Sequence, residues 1–319
     1  MLACTPTEDQ QSVAPQSSGI DIASKQKWLF LGDSITQAGH YVDYIETWYL
    51  LNTENRPAMI DLGLSSETVS NNSESNHPFA RPWLHSRLDN VLERVSPDLV
   101  IACYGINDAI YHPFSEERFS DYQTGIRNLI VATKAIGADL ILLTPPPYAG
   151  RVSPKPGPTA GEAYSFKKPY PGYNDVLQQY ADWILSLDTQ EGVMVIDMRP
   201  ALEIYMAESY PKDPVHPNVY GHKVMAEVFL QDLGLYTDSD LLETGVNPRL
   251  NDLQWGELLE LVRQQREIYD RALLNDIGHG NPRIHKRFTT TIADAEELVE
   301  LVNASIEEKL GHLATEQKN

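Results

Sequence analysis

A chain of 319 residues with 42% hydrophobic content is long enough for one large domain with a full core, or one domain plus an appendage. Its formal net charge of −20 argues against nucleic acid as a partner, because such a surface repels phosphate backbones. Cys4 and Cys103 are too few for a disulfide scaffold, no Cys/His cluster suggests zinc, and no run of about 18 apolar residues is present to span a membrane.

The first 24 residues read as a polar tail or tether rich in Ser, Pro and Gln. Leu2-Ala3-Cys4 is similar to the end of a bacterial lipoprotein signal, although the charged and apolar regions that precede such a cysteine are missing. Two readings stand side by side: an extracytoplasmic protein (secreted, periplasmic or anchored through a lipidated Cys4), or an ordinary disordered tail on a cytoplasmic one. Trp28–Leu31 is the first of five short apolar runs, followed by Met59–Leu62, Leu99–Tyr104, Leu140–Leu143 and Val193–Ile196. Continuous apolar runs of this length are expected of strands covered on both faces. Helical periods lie between them, near Tyr41–Leu51, Trp83–Val95, Ser120–Ile136 (ending at Gly137) and Asn174–Leu187, with a last one from Asn218 to before Gly234. Alternation of this kind predicts an α/β fold, a parallel sheet with helices on both faces.

Pro145–Tyr173 departs from that rhythm. It has no period and carries Tyr148, Tyr164, Phe166, Tyr170 and Tyr173, with Arg151, Lys155, Lys167 and Lys168 against one acid, Glu162. Either it is a solvated loop, or it is a lid over the sheet's carboxyl edge that offers Tyr148, Arg151, Lys167 and Lys168 to a polar, anionic substrate. Beyond about Thr237 two amphipathic helices are expected, Asn251–Asn275 and Ala293–Leu310, the second capped by Thr291 with Asp294 and stopping at Gly311. Their apolar faces must be buried somewhere, and docking on the same chain is expected.

Four segments carry chemistry. Gly32-Asp33-Ser34-Ile35-Thr36 follows the first strand, where ligands bind in open parallel sheets; if a helix starts there, its free N–H groups face an attacking oxyanion. A serine hydroxyl needs a base, and Asp213-Pro214-Val215-His216-Pro217 sets a carboxylate three residues before an imidazole in a proline-stiffened loop. Asn107, in Gly105-Ile106-Asn107-Asp108 after the third strand, can donate an amide N–H, and Gly63 after the second lets a backbone N–H approach closely. Taken singly, each is also a cap, a turn residue or a solvated polar group. Asp33 and Asp108 are expected to hold loops by accepting from nearby N–H groups, and His40, His77, His85 and His112 to be structural.

In this order and together, Gly-Asp-Ser-Ile-Thr, Gly63, Gly-Ile-Asn-Asp and Asp-Pro-Val-His-Pro-Asn resemble the SGNH hydrolases, a branch of the GDSL esterase superfamily, over roughly residues 25–235. The resemblance implies a three-layer α/β/α flavodoxin-like fold with a five-stranded parallel sheet, and hence a tail over 1–24, an SGNH hydrolase domain over 25–236 and a C-terminal helical extension over 237–319. It implies Ser34 as nucleophile, His216 as base, Asp213 as its orienter, and an oxyanion hole of Ser34 N–H, Gly63 N–H and the Asn107 amide, with no metal or cofactor. The expected activity is hydrolysis of short-chain esters, acetyl above all, on a carbohydrate. The alternatives are a lysophospholipase- or thioesterase-type hydrolase, an O-acyltransferase using the same triad, and a non-catalytic binding module. Oligomeric state is not legible.

Overall fold

The computed structural model describes residues 19–188, 192–235, 252–284 and 290–316. Five parallel strands, β1 (Lys27–Gly32), β2 (Ala58–Asp61), β3 (Leu99–Cys103), β4 (Asp139–Leu143) and β5 (Val193–Ile196), form one sheet in the order β2-β1-β3-β4-β5. The chain thus steps outward on one side of β1 and then on the other, and the reversal leaves a crevice at the carboxyl ends of β1 and β3. The register aligns Gly32 with Cys103 and Cys103 with Leu143, so three strands end level. β3 is buried along its whole length, as its unbroken apolar sequence requires. Cys103 is a free, buried cysteine, and Cys4 lies outside the described residues.

Helices α1 (Ser34–Ala38), α2 (His40–Asn52), α3 (Leu88–Val95), α4 (Glu116–Ala135), α5 (Tyr173–Leu185), α6 (Arg199–Ile204), α7 (Met206–Ser209) and α8 (Val219–Asp232) complete the α/β/α layers. Trp28 and Phe30 of β1 pack on Phe229 of α8 and on Tyr49 and Tyr41 of α2. α4 and α5 interlock through Phe119, Tyr122, Tyr180 and Trp183. The expected cap of α8 forms: Asn218 Oδ1 accepts from Gly221 N–H at 3.0 Å.

Three expectations need correction, and the short helices α6 and α7 were not expected. Trp83–Val95 is not one helix; a 3-10 turn at Leu84–Ser86 is followed by α3, because the Arg87 guanidinium is drawn inward onto buried Glu67. The short helices α6 and α7 have too few turns to show a period. Residues 19–24 of the expected tail are structured, with a 3-10 turn at Ile22–Ser24 and both Ile20 and Ile22 against the core. The last helix does not stop at Gly311: α10 (Ile292–Glu316) runs through it, since an interior glycine costs a helix only about 1 kcal/mol and Leu313 beyond it is buried. Thr291 caps that helix as expected, its Oγ1 accepting from Asp294 N–H and donating to the Asp294 carboxylate. α9 (Asp252–Ile277) and α10 pair through Leu258, Val262 and Ile306, and α9 lies against α2, β2 and α3 of the same chain. Among the described residues no helix is long and apolar enough to cross a membrane.

Candidate active site

At the carboxyl end of β1 the chain turns sharply into α1. A Cβ on Gly32 would sit 2.1 Å from Thr36 Oγ1, so only glycine lets the strand pass this close to the helix. Asp33 caps α1 by accepting from Ile35 N–H at 2.9 Å; burial pushes its carboxyl up to about 7 against the pull of that hydrogen bond. Ser34, the first residue of α1, is therefore fixed by strand, cap and helix, and among the described residues its N–H has no acceptor.

Late in the chain, between α7 and α8, Asp213 folds its loop around itself. Its Oδ1 accepts from Val215 N–H at 2.7 Å and from His216 N–H at 3.3 Å, while Oδ2 faces His216 Nδ1 at 3.1 Å. Partial burial works to raise this carboxyl, but the hydrogen bonds from His216 and Val215, with the His216 and Lys155 charges, hold it well below the usual carboxylate range. An ionised carboxylate only accepts, so Nδ1 carries the imidazole hydrogen and Nε2 is left as acceptor. His216 Nε2 stands 2.9 Å from Ser34 Oγ across 182 residues of sequence. The three side chains form a continuous relay open to solvent at His216.

Beside Ser34 lies the loop after β2. Leu64 N–H donates to Gly32 O at 2.8 Å, which runs this loop along the Gly32–Ser34 turn. On its far side the Glu67 carbonyl accepts from Asn107 Nδ2 at 3.3 Å. Asn107 is 4% exposed, and its Oδ1 accepts from Tyr111 Oη at 3.2 Å, so one Nδ2 hydrogen remains for a ligand. Asp108 holds the neighbouring chain as expected, accepting from Val69 and Ser70 N–H at 2.9 and 3.0 Å.

Gly63 is placed otherwise than expected. Its N–H donates to Asp61 Oδ1 at 2.8 Å, so the hydrogen is engaged in its own turn. What demands glycine is packing: a Cβ there would be 2.3 Å from Gln37 N and 2.7 Å from Thr36 C, both backbone atoms of α1. The neighbouring Ser66, not singled out by its sequence, has φ 68 and an N–H with no acceptor among the described residues. Its carbonyl accepts from Arg81 Nη1 at 3.4 Å, and Arg81 is paired with Glu74 in the interior. A polar Ser-Ser pair gives no pattern from which a left-handed turn can be read.

Of the four residues expected to meet substrate, Tyr148 is buried edge-on against Tyr173 at 5.5 Å and lies within the field of Asp213. Arg151 is tied to α6 and α7 through Glu203 O and Met206 Sδ, and Lys168 is paired with Glu162. Lys167 lies on the Phe166 ring. The Pro145–Tyr173 segment is pinned at both sides of the crevice, by Ala149 N–H to Pro214 O at 2.8 Å and Tyr170 N–H to Tyr111 O at 2.9 Å; its last residue begins α5. His85 and His77 bond backbone carbonyls, and buried His222, pushed down to about 3 by burial, accepts from Tyr41 N–H.

A five-stranded parallel sheet with a serine, an imidazole and a carboxylate joined at its carboxyl edge is the frame of a carboxylic ester hydrolase of the SGNH type. The chain belongs to the GDSL-like lipase/acylhydrolase family, whose sequence profile matches residues 30–224. It is 26% identical over 239 residues to an acetylxylan esterase from Geobacillus stearothermophilus, a span of 67% of this chain and 96% of that protein. Among solved structures, a mutant of Axe2, an acetyl-xylooligosaccharide esterase from Geobacillus, shares the fold with a TM-score of 0.51 and 24% identity, over 68% of this chain and 98% of that one. LAE5, an alpha/beta hydrolase enzyme from the metagenome of Lake Arreo, Spain, does so with a TM-score of 0.50 and 22% identity, over 67% and 97%.

Proposed function

We propose that this esterase removes short acyl groups, acetyl first, from a carbohydrate through an acyl-serine intermediate on Ser34. The observation that carries the reading is the 2.9 Å contact between Ser34 Oγ and His216 Nε2, with Nδ1 held by Asp213. As Oγ bonds to the ester carbonyl carbon, its proton passes to Nε2, and Asp213 stabilises the resulting imidazolium. The carbonyl oxygen becomes an oxyanion facing the N–H of Ser34, the free Nδ2 hydrogen of Asn107 and, in place of Gly63, the N–H of Ser66. Collapse expels the sugar hydroxyl, which takes the proton from Nε2. Water, deprotonated by the same nitrogen, then attacks the acyl carbon and releases the carboxylic acid and free Ser34.

Two features support a short acyl group. Tyr111, Tyr148 and Tyr173 pack on one another in the interior behind the loops around the site, and the segment that follows β4 is rich in tyrosine and lysine rather than aliphatic residues. The name of the acetylxylan esterase relative points the same way. Ser34→Ala is expected to lower kcat/KM at least about 10³-fold and to abolish labelling by a fluorophosphonate, with the label on Ser34 in the wild type. A chain-length series of nitrophenyl esters should favour acetate, and acetate should be released from acetylated xylan or another acetylated glycan. A preference for acyl chains of about eight carbons or more would overturn the substrate reading.

A further inference from the structure

We infer that the C-terminal extension, which lies beyond the family-matched residues 30–224, is part of the catalytic apparatus: Asn281 is a positioning residue that aims the Ser66 N–H into the oxyanion hole. The inference rests on the reading of the site given above.

The chain leaves α9 at Gly278 and turns back over the loop after β2. Asn281 is 2% exposed, and its Nδ2 donates to Ser65 O at 2.8 Å. Its side-chain amide is held at both ends, with Oδ1 accepting from Arg283 N–H at 2.9 Å, and its backbone is fixed by its own N–H donating to His279 Nδ1 at 3.2 Å. Ile284, buried in the main core, anchors the turn from below. The acceptor is Ser65 O, and Ser65 C=O shares one rigid plane with Ser66 N–H. In a trans peptide the two bonds point in opposite directions, so a donor fixing the oxygen fixes the direction of the hydrogen. It also polarises the peptide, which makes the N–H a stronger donor. Ser66 sits at φ 68, in the left-handed region that few non-glycine residues occupy. Arg81 holds the next carbonyl, that of Ser66, so the peptides on both sides of the Ser66 Cα are clamped.

The same extension grips the site at two further points. Asp270 Oδ2 accepts from Asp61 N–H at 2.7 Å, and Asp61 Oδ1 in turn holds Gly63 N–H. Arg266 donates to Ala38 O at 3.1 Å, at the end of the helix that Ser34 begins, and to both oxygens of Asp43. A Cβ on Gly39 would stand 2.2 Å from Arg266 Cζ, so the α1–α2 junction is shaped to receive this guanidinium. Three contacts from one appended helix and turn thus reach the three backbone segments on which Ser34 and its hole depend. Only Asn281 acts on a peptide that faces the oxyanion.

The test compares Asn281→Ala and Asn281→Asp with the wild type. Asp is isosteric, still accepts from Arg283 N–H and cannot donate to Ser65 O when ionised. Both variants should lose about tenfold in kcat with KM changed by less than about twofold, since the missing direction matters only to the tetrahedral state. Affinity for methylboronic acid, whose tetrahedral adduct with Ser34 places an oxygen in the hole, should fall in parallel. Glu307→Gln, which breaks the exposed Arg56–Glu307 contact of α10, should leave both quantities unchanged and controls for general loosening of the extension. Unchanged kcat and boronate affinity in Asn281→Asp would overturn the inference, as would a raised KM at constant kcat. An active Ser34→Ala enzyme would instead overturn the reading beneath it.

Discussion

Ile110 and Tyr111 take φ values of 47 and 61, in the left-handed region that bulky and β-branched side chains avoid at a cost of about 1–3 kcal/mol each. The surroundings over-determine the conformation. The Tyr111 ring stacks on Tyr173 at 4.8 Å, Arg81 lies over it at 5.6 Å, and its carbonyl receives Tyr170 N–H. The result is a hydroxyl that donates to Asn107 Oδ1 and so turns the Nδ2 side of the amide to the crevice. Tyr111→Phe keeps the ring and removes that bond. It should lower kcat about three- to tenfold, the worth of one neutral hydrogen bond, with KM little changed and the fold retained; steady-state kinetics at saturating nitrophenyl acetate check it. An unchanged kcat would show that packing alone orients Asn107. Asn107 could be singled out as a candidate in the sequence because an amide after a strand has a recognisable chemistry. Tyr111 and Ser66 could not: a tyrosine near a strand end reads as core, and backbone strain leaves no periodic trace. The sequence pointed instead to Gly63, whose N–H is engaged by Asp61 and whose missing Cβ answers to packing on α1.

That packing belongs to the scale of elements. β2 and its following turn meet α1 with Gly63 pressed on the backbone of Thr36 and Gln37, and no rotamer change can relieve a methyl group placed 2.3 Å from a main-chain nitrogen. Gly63→Ala must therefore push α1 from the sheet. We expect a loss of about 1–3 kcal/mol, seen as a fall of several degrees in Tm, together with reduced kcat as Ser34 moves with its helix. Gly256→Ala is the counterpart: it lies in the exposed interior of α9 with nothing within 4 Å of its absent Cβ, and should leave activity intact and raise stability by about 0.5–1 kcal/mol. Thermal denaturation of both variants tests the pair, and a Gly63→Ala protein as stable and active as the wild type would refute the packing argument. The five strands were legible because each is a continuous apolar run bounded by polar turns. The helix expected over Trp83–Val95 was not, because sequence periodicity cannot register a buried Arg87–Glu67 pair that bends the chain inward. α6 and α7 lack the length that gives a helix its signature.

Across the whole molecule the excess of acid has a structural focus. Where α9 docks on α2 and β2, Asp43, Glu46, Asp61 and Asp270 gather around a single deeply buried guanidinium, Arg266, with Arg263 at the margin. The sequence showed an amphipathic helix needing a partner, but the docking place follows from this ion cluster, whose members are scattered over more than two hundred residues. One buried cation, with a second at the margin, does not neutralise four carboxyls. Burial would raise Asp43, but hydrogen bonding from His40 and from the Arg266 guanidinium, with their charges, holds it below its ordinary range. Glu46, half-buried and repelled by Asp43, is pushed up to about 8, and Asp61 to about 7, in both cases chiefly by burial. A carboxyl whose folded pKa exceeds its unfolded value binds its proton more tightly when folded. It is neutral in both states below pH about 4 and costs nothing there; the penalty grows as pH rises through the interval up to the folded value and is complete above it. For Glu46 that interval runs from about 4.5 to about 8. Glu46→Gln removes the penalty while keeping the side chain's shape, so it should raise Tm at pH 9 and leave it nearly unchanged at pH 4. Equal shifts at both pH values would mean that the gain comes from packing rather than from ionisation, and that α9 does not carry this pH dependence through Glu46.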